Sequence, residues 1–188
     1  MSRAGNPERP PLNTAMSEDS QPLIEAATFL DRTIRLFLSQ EGALQVESWI
    51  AAVARMAGTL ILMEQLPEGA APGGSVVLVE AIDAEGPRLL RLMLLTLAHL
   101  GTPLVEEEIE APEEGTALAR LSLADTRARL EPLVLACGRS HGLSLGSTAD
   151  ALAIATALAI HACREVLPPS RAAGLALVAL LEGARTAP

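Results

Sequence analysis

The side chains in this sequence best suited to chemistry gather in two short stretches. Cys137 and His141 are four residues apart, as are His161 and Glu165, with Cys163 lying between that second pair. On a helix, a spacing of four places two side chains on one face, which is how two ligands of a zinc ion are commonly offered. Simple antiparallel packing keeps the two stretches from sharing one ion. Cys137 and His141 would sit beside the connector, whereas His161 lies about 13 residues, or roughly 20 Å, up the following helix. A buried cysteine packing as a small hydrophobe and a histidine satisfied by hydrogen bonds account for the same residues. No metal and no cofactor is therefore expected. His99 falls near the end of its own predicted helix, where a cation is favoured by the helix dipole.

Between the two stretches, the connector from Gly138 to Thr148 sets Ser140 beside His141 among three glycines. It is not the strand–turn–helix elbow of a serine hydrolase, and no acid is placed to complete a triad. It reads as an interhelical turn, although the amides opening the next helix can attract an anion as any helix start does. The acidic run Glu106–Glu114 lacks the alternating spacing of a calcium loop. It reads as a solvated face, with a basic partner surface as the alternative.

Arg55 stands apart from these. It interrupts a segment, Ile50 to Met63, that is otherwise apolar on nearly every side. A guanidinium there must find a carboxylate, a carbonyl or water, because burying it unpaired is costly. Glu25, Glu47, Glu64 and Glu80 are the candidate partners, and a structural ion pair is expected ahead of an anion site. Should the protein hold a small ligand among its helices, Arg55, His161 and Cys163 are the polar groups it would meet.

Composition closes several function classes. All fourteen basic residues are arginine, and there is no lysine. A lysine is required by the phosphate loop of nucleotide hydrolases, by Schiff-base catalysis and by pyridoxal phosphate anchoring. Tyrosine is also absent, and Phe29, Phe37 and Trp49 are the aromatic residues. With a formal net charge of -9, the chain has neither the stacking platforms nor the positive surface of a nucleic-acid binder. Two cysteines form no disulfide framework, which suits a reducing, cytoplasmic setting. No run of about 18 uncharged apolar residues occurs, so no membrane span is expected.

The elements that must position these residues follow from periodicity and caps. Residues 1–20 are polar and aperiodic and read as a disordered leader ahead of a single helical domain over 21–185. Helices are expected at Pro22–Gln40, Leu44–Leu66, Pro87–Leu100, Asp125 to about Arg139, Thr148–Leu167 and Ser170–Glu182. The second and fifth are apolar nearly all round, which marks them as central. The alternating alanines Ala151, Ala153, Ala155, Ala157 and Ala159 would let a neighbour approach closely, within the chain or across a dimer.

These elements assemble into an all-α bundle of six or seven helices. The competing α+β reading makes a small sheet from Val76–Ile82, Leu104–Ala111 and Leu118–Leu123. The bundle also carries a sign of internal duplication of a three-helix unit. Two nearly all-apolar helices end in Leu66-Pro67 and Leu167-Pro168, each preceded by a glycine, Gly42 and Gly142, and followed by a short apolar element, Val76–Ile82 and Leu175–Leu181. The offset is close to one hundred residues, with the Pro87–Leu100 helix lying between the copies. The absence of convergent catalytic groups favours a non-enzymatic, homo-oligomeric helical protein that binds a protein partner. A bundle holding a small apolar ligand or metal between its central helices is the alternative.

Overall fold

The structure, a computed structural model, describes residues 20–40, 44–66, 81–112 and 122–186. Six α-helices account for most of them: α1 (Gln21–Ser39), α2 (Val46–Gln65), α3 (Ala81–His99), α4 (Leu123–Ser140), α5 (Leu145–Cys163) and α6 (Pro169–Arg185). The all-helical bundle is the architecture observed. No strand occurs among the described residues. Leu104–Ala111 is extended chain with one tight turn at Glu106–Glu108, and it lies against α6, where the Glu110 amide donates to the Ser170 carbonyl at 3.2 Å. Of the other two segments of the sheet reading, 76–80 and 118–121 lie outside the described residues, as does the leader over 1–19.

Local chemistry explains most boundaries. Pro22 sits in the first turn of α1, where its missing amide is not needed. From there Ala26, Ala27, Leu30, Ile34 and Leu38 step by three and four residues and are all buried. The Ser122 hydroxyl caps α4 by accepting the Asp125 amide at 3.1 Å. Ser144 does the same for α5 through the Ser147 amide at 3.0 Å. That cap starts α5 three residues earlier than the expected boundary at Thr148, and the helix also stops sooner, at Cys163.

One expectation is corrected outright. Gly86-Pro87 does not separate a short element from a later helix, because α3 runs unbroken through both. The proline leaves the Asp83 carbonyl without its helical donor, but Asp83, Ala84 and Pro87 are all exposed, so water can satisfy it. Leu89, Met93 and Leu97 then face the core at steps of four. Pro132 is likewise accommodated inside α4 at an exposed position.

Packing follows a regular scheme. α2 and α5 press against each other at the centre; α6 packs on α2 and α3 on α5, while α1 also packs on α5 and α4 on α2. Every residue of α2 from Ser48 to Leu62 is buried. The five alternating alanines of α5 are buried too, so the seam they form is intramolecular. By length and composition α2 and α5 could each cross a membrane, yet 83% and 56% of those windows are buried inside this bundle, the pattern of core helices. Where glycines let two helices meet, the tightest approach is that of α2 and α6. A Cβ on Gly58 would overlap the Leu180 carbonyl, and one on Gly183 would overlap the Arg55 carbonyl.

Candidate functional site

Arg55 points into the α2–α6 seam. Its Nε and a terminal nitrogen both donate to Glu182 Oε2 at 2.7 Å. The arginine side chain is 5% exposed and the glutamate 35%. Glu182 was not among the four carboxylates that the sequence suggested. Those were chosen from the first half of the chain, whereas the helix that lies along α2 is the last one. The pairing answers the need of the buried cation for a counter-charge.

His161 occupies the last turn of α5, half-buried. Its Nδ1 is 2.7 Å from the Thr102 hydroxyl, which follows α3, and its Nε2 is 3.3 Å from an Arg164 guanidinium nitrogen. A guanidinium only donates. Neutral His161 therefore accepts at Nε2 and carries its proton on Nδ1, donating to Thr102. This ring is a latch between two loops.

Cys163 is buried where the end of α5 meets α1 and the start of α2. Burial pushes its thiol up, opposed by the positive charge of Arg35 and reinforced by Asp31 and Glu47. A thiol held protonated is a poor nucleophile and a poor metal ligand. The surrounding corner is the least satisfied polar region among the described residues. Burial raises Asp31 to about 6 against the pull of Arg35 and Arg32. Its Oδ1 is buried with no hydrogen-bond partner, as is the indole nitrogen of Trp49. The Arg35 guanidinium lies 5.1 Å from the centre of the Trp49 ring. Orphaned groups like these each cost about 1–3 kcal/mol unless an ordered water reaches them.

Cys137 and His141 do share a face of α4, as their spacing requires. The thiol lies 3.7 Å from His141 Nδ1, while that nitrogen is also 2.9 Å from the Cys137 carbonyl and 3.1 Å from the Ser140 hydroxyl. Burial again pushes the thiol up, and the negative end of the helix gives a thiolate no help. The companion pair does not form, because α5 ends at Cys163 and leaves Glu165 exposed in the turn beyond. Among the described residues, no group of three or more histidines, cysteines and carboxylates could hold a metal ion.

Arg55, His161 and Cys163 thus serve three different neighbours: α6, the loop after α3, and α1. Between the central helices, Ala54, Leu89, Met93, Thr156 and Leu180 line a crevice whose free volume is about 10 Å³, about what one water needs. Asp31, Arg35 and Trp49 went unnoticed in the sequence as a polar cluster. The available signal was the i, i+4 pairing of Asp31 with Arg35 at the edge of the apolar stripe of α1, where Asp31 is half-buried and Arg35 exposed, but the opposing Trp49 comes from another helix. No family model, no curated protein and no solved structure matches the chain.

Proposed function

We propose that this protein is a non-enzymatic, cytoplasmic helical interaction protein that works as a homo-oligomer through the outward face of α1. The observation that carries this reading is the pair Phe29 and Leu36. They lie seven residues apart, hence on one face, and are 49% and 62% exposed. Glu25 and Arg32 are also exposed and share that face at helical spacing. An antiparallel pair of α1 helices centred near Phe29 would stack the two phenylalanines and set each Glu25 near the Arg32 of the second copy. The apolar bulk of α2 and α5 lends no support to an interface, since the bundle covers it. Two free, buried thiols suit a reducing compartment, and their protonated state suits a role without nucleophilic catalysis.

Light scattering coupled to gel filtration tests the reading. The protein is expected to elute as a dimer at micromolar concentration, and the double variant Phe29→Glu, Leu36→Glu as a monomer with unchanged helical circular dichroism. A native protein that stays monomeric across that range sinks the proposal.

The unpartnered Asp31 Oδ1 and Trp49 indole nitrogen favour a second reading, in which a small polar ligand sits beside Cys163 at the α1–α2–α5 corner. Native mass spectrometry of freshly purified protein would then find a bound mass that Asp31→Ala removes. Clean apoprotein would dismiss it.

A further inference from the structure

The two halves of the chain, α1–α3 and α4–α6, are related by an exchange that the packing obeys throughout. Replacing α1 by α4, α2 by α5 and α3 by α6 turns each major contact into another that also exists. α6 on α2 becomes α3 on α5, and α1 on α5 becomes α4 on α2; the central α2–α5 contact maps onto itself. Smaller details follow. Arg35 of α1 meets Trp49 of α2, and in the second half Gly138 of α4 meets Thr148 of α5 so closely that a Cβ would strike its hydroxyl. The residue types differ and the offsets, from Arg35 to Gly138 and from Trp49 to Thr148, are not identical, so what repeats is the pairing of the helices and not the side chains that make it. Among the described residues, the first-half helix that takes the place of α6 is α3; residues 76–80 of the Val76–Ile82 segment lie outside the described residues.

Packing within each half is sparse by comparison. α2 is covered by α6, α5 and α4, which all belong to the other half, and α5 by α2, α1 and α3. The long-range polar contacts run the same way. Arg55–Glu182, Arg88–Asp150, Thr102–His161, Gly146–Glu64 and Ser170–Glu110 each join one half to the other. A half on its own would leave its most apolar helix open to water on most sides, with too little internal packing to offset the entropy of ordering it.

We infer that the chain is two copies of one three-helix association unit joined in sequence, and that each half is an interaction surface whose obligate partner is the other half. The unit is self-complementary about the α2–α5 contact, as a two-fold dimer interface must be. Joining two units keeps the partner at high effective concentration. The complementary half can equally be supplied in trans.

Cleaving the full chain tests this. A specific protease site is inserted between Gly115 and Thr116, and the purified protein is cut. The fragments are expected to co-elute with helicity retained, and their unfolding midpoint to rise with protein concentration, more steeply than that of the uncut chain. Each fragment separated in denaturant should show no cooperative transition alone and regain one on mixing. In the cut protein Gly183→Ala should abolish co-elution, because its methyl group meets the Arg55 carbonyl of the other half. A fragment that melts cooperatively by itself overturns the inference. If the insertion prevents folding, native-state hydrogen exchange on the unmodified chain decides between the same two outcomes. Core amides of α2 and α5 should open together in one global event, and a half that opens well before the other refutes obligate pairing.

Discussion

The two seams that the pseudo-symmetry makes equivalent, α6 on α2 and α3 on α5, are built in opposite ways. In the first, Gly58 and Gly183 face each other's helix so closely that neither could carry a Cβ without meeting backbone, and Arg55–Glu182 closes the seam with a largely buried ion pair. In the second, α3 meets the alanines of α5 through the larger side chains Leu89 and Met93, and the small crevice these help to line is shared with α2 and α6. Its ion pair, Arg88–Asp150, is 42% and 21% exposed. Backbone proximity makes the first seam intolerant of added atoms. Side-chain spacing makes the second adaptable. One topology can therefore carry a rigid side and a compliant side.

The sharpest way to break that contrast is to add one methyl group to the tight seam. Gly183→Ala should cost about 3 kcal/mol in the intact chain, read from urea unfolding, because the obstacle is backbone and not a flexible side chain. If it costs no more than an ordinary surface substitution, the seam is not tight. Next comes the ion pair. Glu182→Gln deprives a buried guanidinium of its carboxylate and should cost about 2 kcal/mol, less than for a fully buried pair because Glu182 is partly exposed to water. The matching change on the compliant side, Asp150→Asn, should cost under about 0.5 kcal/mol. Burial already pushes Asp150 above the usual carboxylate range despite the hydrogen bond and charge of Arg88. Equal losses at the two seams would erase the distinction.

Between those magnitudes lies a pH effect at the corner of α1 and α2. The folded state holds Asp31 at about 6, above its ordinary value of 3.8. Protonated Asp31 is therefore favoured by folding, and its contribution is fully present below about pH 4 and is lost as pH rises through 6. At pH 7 its ionised form is a liability. Asp31→Asn should stabilise the protein there by about 1 kcal/mol, a figure discounted for the partial exposure of the group. Paired urea titrations at pH 4 and pH 7 check the sign: the gain at pH 7 should shrink or vanish at pH 4. A gain independent of pH would assign the effect to something other than ionisation.

Much of the fold was legible because helices announce themselves locally. The three-and-four spacing of α1 and the terminators near residues 40, 66 and 100 are properties of neighbours in sequence; the caps Ser122 and Ser144 are equally local, although the expected starts at Asp125 and Thr148 missed them. The misreading at Gly86-Pro87 has the same origin. Those residues usually end helices, and only the exposure of the surrounding turn lets α3 run through them. The candidate site was less legible. Cys137 and His141 met as their spacing implied, since both lie on one helix. The partner of Arg55 and the Asp31–Arg35–Trp49 corner were out of reach, since each needs residues from helices whose adjacency no local pattern encodes.

By itself, then, the sequence determined that this lysine-free, acidic chain would fold into helices, that α2 and α5 would be central, and that Arg55 would need a counter-charge. Those follow from side-chain size, polarity and period, which act over one or two turns. The tertiary structure decided which carboxylate answers Arg55, that the alanine stripe of α5 closes inward, and that each half is covered by the other. These are consequences of which helix lies beside which, and burying two wholly apolar helices at once requires each to be wrapped by elements distant in sequence.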